Sequence, residues 1–264
     1  MTSKEKFYPG FDIKTVSEPI IGFSLGENTF NKGVEIRKLD AIRKSLMDPS
    51  CKGPENVYAI MMDVGNKEDY EDLVSRGLLY GAVCYSKGTL GQEPVRSQGH
   101  VHKESKYTGW STPEIYEIWE GKAIIYMQEH GDDNPGRCFA VYGEAGDIIV
   151  VPPYWVHATI NADANTNMSF GAWCDRDYGF VYDKVRVHGG IAFFPIYDES
   201  GKLSWVKNPS YGECSLIEKK PADYTALGIK KSVPIYLQYK ENHSKFDFVA
   251  NPKLFEEVWK NFIP

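Results

Sequence analysis

The chain has no cysteine pair in CxxC spacing, although it carries five cysteines: Cys51, Cys84, Cys138, Cys174 and Cys214. An odd, scattered set argues against a zinc ribbon or a disulfide scaffold and predicts reduced, buried thiols in a cytoplasmic protein. Long apolar runs are also missing. "MTSKEKFYPG" has no hydrophobic signal core, and no stretch reaches the ~20 apolar residues of a membrane span, so neither secretion nor membrane insertion is expected. Positive charge is not in excess: 30 Lys and Arg stand against 36 Asp and Glu, a net charge of −6. No nucleic-acid partner is therefore expected. Histidine is scarce, at six residues, so each can be weighed singly.

What is present is the balance of a globular chain. The 264 residues are 42% hydrophobic and 25% charged, enough for one generous domain with a real core. In "VEIRKLDAIRKSLMD", Ile36, Leu39, Ile42 and Leu46 have helical spacing and predict a short amphipathic helix. "EDYEDLVSRG" reads as a helical turn or a loop. From residue 79 the pattern changes to short β runs: "LLYGAVCYS", "EIYEIWEG", "KAIIYMQE", "RCFAVYG", "DIIVVPP", "HATINA", "MSFGAWC" and "VRVHGGIAFFPIYD". "WEGKA" predicts a tight hairpin turn and "GEAGD" a loop. Many short strands in series predict a mainly β fold, a sandwich or small barrel of the jelly-roll kind. The expected division is an N-terminal extension of strands and helix over 1–78, the barrel over 79–209, and a C-terminal extension over 210–264. "NPKLFEEVWKNF" predicts a terminal helix, with Asn251 as N-cap, Pro252 first, and an apolar face of Leu254, Phe255, Val258, Trp259 and Phe262.

The chemistry concentrates in "SQGHVHKESKYTGWSTPEIYEIWEGK". On a strand, His100 and His102 project to one face, which in a small barrel is the lumen. Two imidazoles are an incomplete metal site. On the following strand Glu114 and Tyr116 can share that inward face, while Glu117 points outward with no role beyond solubility. His157, in "VPPYWVHATIN", is the fourth candidate. Three imidazoles and one carboxylate suit Fe(II), Mn, Ni or Zn, with positions left open for substrate oxygens. The plainer reading, a strand pair with polar outer faces, stays open at this point. Of the other histidines, His130 and His243 read as exposed, and His188 as a surface or packing residue.

The ordered string "GHVH", "PEIYEIWEGKA", "VVPPYWVHATIN" and "WCDRDYGFVYDK" resembles the cupin-type phosphoglucose isomerases, best known from archaea. The resemblance runs from about residue 35 to about 209 and leaves the last ~55 residues outside. It implies a cupin barrel, usually dimeric, and a metal held by His100, His102, Glu114 and His157, with Fe(II) or Mn(II) favoured over Zn or Ni. It implies interconversion of an aldose 6-phosphate and its ketose, as in glycolysis and gluconeogenesis. Glu114 would move the proton, with Tyr116 and Tyr178 as active-site tyrosines. Gly99 would approach the phosphate through its backbone.

The phosphate pocket departs from the pattern. Val83 and Ser97 stand where the family has threonines, Trp173 where it has a tyrosine, and Arg176 where it has a histidine. Arg96, Ser97, Gly99, Trp173 and Arg176 are the expected substrate-binding residues. A salt bridge to the neighbouring Asp175 and Asp177 is an equal reading of Arg176. The altered pocket also admits another sugar with an anionic sixth carbon, such as sulfoquinovose. A cupin dioxygenase and a non-enzymatic sugar-binding cupin are the competing classes.

Overall fold

Most of the β runs pair into two facing sheets in the computed structural model, which describes residues 7–264. The strands are β1 Glu35–Lys38, β2 Asn56–Met62, β3 Leu78–Tyr85, β4 Val101–His102, β5 Glu114–Glu120, β6 Lys122–Gln128, β7 Cys138–Glu144, β8 Ile148–Val151, β9 Val156–Asn161, β10 Met168–Asp175, β11 Phe180–Val181 and β12 Leu216–Lys219. One sheet runs β8-β5-β10-β3-β2-β1 and the other β9-β6-β7-β12, while β4 pairs with β11. The result is the mainly β jelly roll that the pattern predicts and the cupin barrel that the resemblance implies, with helices after residue 234.

Between the sheets lies an apolar core that includes Val83, Tyr116, Ile118 and Phe170 from one side and Ile125, Met127, Phe139 and Val141 from the other. The outer faces are not solvated either. Phe11, Ile13 and much of the C-terminal segment, including Tyr236, Tyr239, Phe246 and Phe248, cover Tyr80, Ile115, Trp119 and Trp173. Val185, Ile191 and Phe193 cover the outer face of the second sheet. All eight residues of β3 are therefore buried. That is why the strands read as near-continuous apolar runs rather than alternating ones.

Several expectations need correction. "WEGKA" is not a hairpin: β5 and β6 belong to different sheets, and Gly121, at φ +79°, turns the chain from one to the other. A side chain there would strike the Asn167 carbonyl, so the corner requires glycine. The helix expected over 36–46 is β1 followed by two 3₁₀ turns, Leu39–Ala41 and Arg43–Ser45. Leu39, Ile42 and Leu46 are buried as their spacing demands, but β1 pairs with β2 and claims Ile36. "EDYEDLVSRG" contains helix α1, Tyr70–Ser75. "VRVHGGIAFFPIYD" holds part of helix α2, Asp183–Arg186, a glycine turn, and only then a strand, Phe193–Tyr197. The limits at 79 and 209 cut through sheets, because β1 and β2 complete one and β12 pairs parallel to β7 in the other.

The C-terminal segment holds α3 Ile235–Glu241, α4 Asp247–Ala250 and α5 Glu256–Lys260. Before α5 the chain makes a 3₁₀ turn over Pro252–Phe255, and Asn251 makes no side-chain cap. The three-residue period puts Pro252, Phe255 and Val258 on one face and leaves Leu254 61% exposed.

Glu117 is the largest correction. It does point away from the lumen, but the C-terminal segment lies over it and leaves it 1% exposed. Its Oε1 accepts the Ile235 backbone N–H at 2.9 Å, and its Oε2 has no partner. Burial pushes its carboxyl up to about 8, against 4.5 when free. Between those values the folded chain holds a proton that the unfolded chain has released, so stability falls as pH rises. The contribution of Glu117 to that fall is ~1.4 kcal/mol per pH unit between about pH 4.5 and 8. Glu117→Gln removes this contribution, read as the difference between parent and variant in denaturant melts at pH 5 and pH 8; the same pH dependence in both would place the titration elsewhere.

Candidate metal centre

The local chain path brings the three lumenal histidines together. His100 and His157 exchange backbone hydrogen bonds, N–H to carbonyl, at 3.0 and 2.9 Å. Their rings lie 4.3 Å apart, and the His102 ring is 4.9 Å from that of His157. Glu114 enters from β5, and one ligand atom from each of His100, His102, Glu114 and His157 lies within 4.8 Å of the others. The sequence-nominated set thus converges on one point.

The orientation of the imidazoles tests whether a metal fits. His102 Nδ1 donates to the Thr112 carbonyl at 2.9 Å, and His157 Nδ1 donates to the Trp155 carbonyl at 3.1 Å. Each bond fixes the tautomer and leaves the Nε2 lone pair directed inward. The Nε2 atoms of His100, His102 and His157 are all buried without a hydrogen-bond partner. Glu114 Oε2 lies 3.4 Å from His102 Nε2 and 3.3 Å from His157 Nε2. Burial pulls His100 and His157 below the ordinary imidazole range, so both are neutral at pH 7. Lone pairs and a carboxylate oxygen facing one another repel unless a cation lies between them. Ligand atoms bound at ~2.1 Å stand about 3–3.5 Å apart, and Glu114 Oε2 keeps that spacing from His102 and His157. The four residues fit a divalent ion.

Further contacts hold the carboxylate. The Tyr116 hydroxyl donates to Glu114 Oε2 at 2.6 Å, and the Cys174 thiol donates to Oε1 at 3.2 Å. Burial and the Glu114 charge push both groups well up, so Tyr116 stays a phenol and Cys174 a thiol. Cys174 was not foreseen as a site residue; alternation along β10 places it beside Ala172 on the lumenal face.

The cavity beside His100 and Glu114 is also lined by Arg37, Val83, Ser97, Gln98, Tyr116 and Tyr182. Of the expected substrate residues, Ser97 lies there, with its Oγ accepting the Thr159 N–H at 3.0 Å. Gly99, next to His100, has φ +89°, and a side chain there would meet Ile191 Cγ2 at 2.8 Å. The close approach is thus to the protein's own packing. Trp173 is on the opposite face of β10, fully buried, donating from Nε1 to the Ile235 carbonyl and stacked on Tyr236. The pleat that turns Ala172 and Cys174 inward turns Trp173 out. Arg96 is fully buried and spent on Glu93 and on the Ser45 and Ser97 carbonyls. Arg176 forks onto Asp63 at 2.6 and 2.7 Å, a partner far in sequence rather than its acidic neighbours. Tyr178 is 42% exposed and off the cavity lining; Tyr182 is the tyrosine that this segment sends inward. His130 is exposed, His243 faces Asp72, and His188 packs on Tyr211.

The model of the glucose-6-phosphate isomerase (GPI) family matches residues 40–212, about two thirds of the chain. The chain belongs to the glucose-6-phosphate isomerase family. A putative glucose-6-phosphate isomerase 1 of Rhizobium meliloti is 27% identical over 51% of this chain and 58% of its own length. The glucose-6-phosphate isomerase of Thermococcus gammatolerans is 28% identical over 47% and 59%, and that of Thermococcus litoralis 28% identical over 69% and 89%. The chain thus spans less than two thirds of the curated relatives it matches first. An oxalate oxidase structure superposes with a TM-score of 0.35 at 16% identity, over 48% of this chain and 56% of that one. Among the described residues no helix is long and apolar enough to cross a membrane.

His102→Ala removes one of the convergent nitrogens. The purified variant is expected to hold less than about a tenth of the divalent metal bound by the parent, as outer partners alone shift affinity ~10–100-fold. Elemental analysis after dialysis against Mn(II) reads this, and equal metal content in both proteins would refute the ligand set.

Proposed function

We propose that the protein is a metal-dependent aldose–ketose isomerase of a six-carbon sugar carrying an anion at its sixth carbon, with glucose 6-phosphate and fructose 6-phosphate as the pair. The observation that carries the proposal is the meeting of three unpartnered Nε2 atoms with Glu114, beside a cavity that His100 and Glu114 line, in a chain from the glucose-6-phosphate isomerase family. A divalent ion held by His100, His102, Glu114 and His157 would act as a Lewis acid toward negative charge on the two neighbouring sugar oxygens.

The protein's own groups do the rest. The reaction moves one hydrogen between the first and second carbons and one proton between their oxygens. Glu114 Oε2 faces His102 and His157, whereas Oε1 is held only by the Cys174 thiol. Oε1 is therefore the oxygen free to take a proton from one carbon and return it to the next. The Tyr116 hydroxyl keeps the carboxylate plane fixed while this happens. Phe180, 4.5 Å from the His100 ring, and Phe170, 4.8 Å from Tyr116, keep bulk water from the reacting carbons.

Glu114→Gln is expected to lower turnover by ~10²–10⁴-fold while metal content falls much less. Equal loss of both would reduce Glu114 to a ligand. Chelation should abolish turnover, and Fe(II) or Mn(II) should restore it. Glucose 6-phosphate, mannose 6-phosphate and sulfoquinovose, offered in deuterated water and followed by proton NMR, identify the sugar and show whether the migrating hydrogen exchanges with solvent. Oxygen uptake in step with substrate loss would instead favour the dioxygenase class.

A further inference from the structure

Recognition of the anionic end of the sugar is not explained by the two arginines expected to bind it, because Arg96 and Arg176 are saturated by protein partners. The cationic side chain on the cavity lining comes from β1, ahead of the segment that matches the family. We propose that Arg37 is the residue that binds the tetrahedral oxyanion, a phosphate or sulfonate, at the far end of the substrate.

Arg37 lies opposite Tyr58 on β2, beside an irregularity in the β1–β2 register between Arg37 and Lys38. Such a bulge re-aims the side chain next to it. Its guanidinium stands 6.0 Å over the Tyr58 ring, and its Nε is buried without a hydrogen-bond partner. Its carboxylate contact is Glu35 at 2.7 Å, and Glu35 is 64% exposed. A pair of this kind is weakly held and screened by salt, so the guanidinium can exchange it for a desolvated anion.

A second donor points to the same occupant. Gln98 is 1% exposed and lines the same cavity, and its Nε2 has no partner. Arg186 Nε donates to Gln98 Oε1 at 2.9 Å, which fixes the amide so that the NH₂ is the free end. The Arg186 guanidinium is itself seated 4.9 Å over the Tyr182 ring, so this tether is held in place. Two buried donors without acceptors, one of them charged, match a group with several acceptor oxygens and no donors. Val83, which cannot donate, stands where a family threonine would. Arg37 supplies what that threonine would have offered.

The inference rests on the proposed function for the sugar but not for the anion, and binding separates the two. The metal-loaded full chain, Arg37→Met, Arg37→Lys and Glu35→Gln are titrated calorimetrically with glucose 6-phosphate, sulfoquinovose and glucose, and turnover is measured separately. Arg37→Met should weaken binding of the anionic sugars by about 30-fold and leave glucose unchanged, raising KM far more than it lowers kcat. Arg37→Lys should recover part of the loss, because it keeps the charge but not the fork, and stands in if the Met variant fails to fold. Glu35→Gln should bind the anions at least as tightly as the parent. The phosphate and sulfonate arms show which oxyanion is preferred. Unchanged anion affinity in Arg37→Met, equal losses for anionic and neutral sugars, or a parent that prefers neither anion to glucose would each overturn the proposal. Arg37-dependent binding in a protein that never isomerises the sugar would overturn the isomerase reading and leave this one standing.

Discussion

Two backbone carbonyls, those of Thr112 and Trp155, decide what this cavity can do. By accepting the Nδ1 protons of His102 and His157, they leave the Nε2 lone pairs buried and aimed at Glu114. Buried polar atoms without partners cost roughly 1–3 kcal/mol each, and three meet at one point. The fold keeps that frustration because the rings are trapped: His100 and His157 are stitched together through their backbones, and Phe180 packs on both His100 and His102. A divalent ion at that point would relieve it and would then be a structural as well as a chemical partner of the barrel.

The outer face of the same strand shows a different constraint. Glu114 and Tyr116 look into the cavity, and Ile115, Glu117 and Trp119 look out toward the C-terminal segment. Tyr236 and Tyr239 hold this segment by donating to Asp69 and Asp72, and Trp173 bonds the Ile235 carbonyl. The C-terminal segment is therefore built onto the back of the site-bearing sheet. Glu117, neutral under that cover, links the segment to β5 three residues from Glu114.

Electrostatics divide the arginines by how their charge is used. Arg96 and Arg176 are locked to Glu93 and Asp63 and serve the scaffold. Arg37, with an exposed partner and an unused buried Nε, keeps capacity for a ligand. The acidic overall charge does not oppose this, since fields beyond ~8 Å are screened at physiological salt and the local guanidinium dominates.

The convergence of these four residues was legible in the sequence because its information is local. A two-residue period carries His100 with His102 and Glu114 with Tyr116, and an ordered set of short motifs places His157 with them. The strands were legible too, since burial on both faces writes itself as apolar runs. Which sheet each strand joins, which arginine is spent, and what covers an outward glutamate depend on contacts between residues far apart. Asp63 claims Arg176 and Ile235 claims Glu117 across more than a hundred residues. One step of the pleat turned Trp173 away from the cavity, and an edge strand brought Arg37 into it. The sequence by itself determined the donors and their spacing; only the tertiary structure decided which of them remain unpaired, because hydrogen-bond saturation is a property of the whole packed molecule.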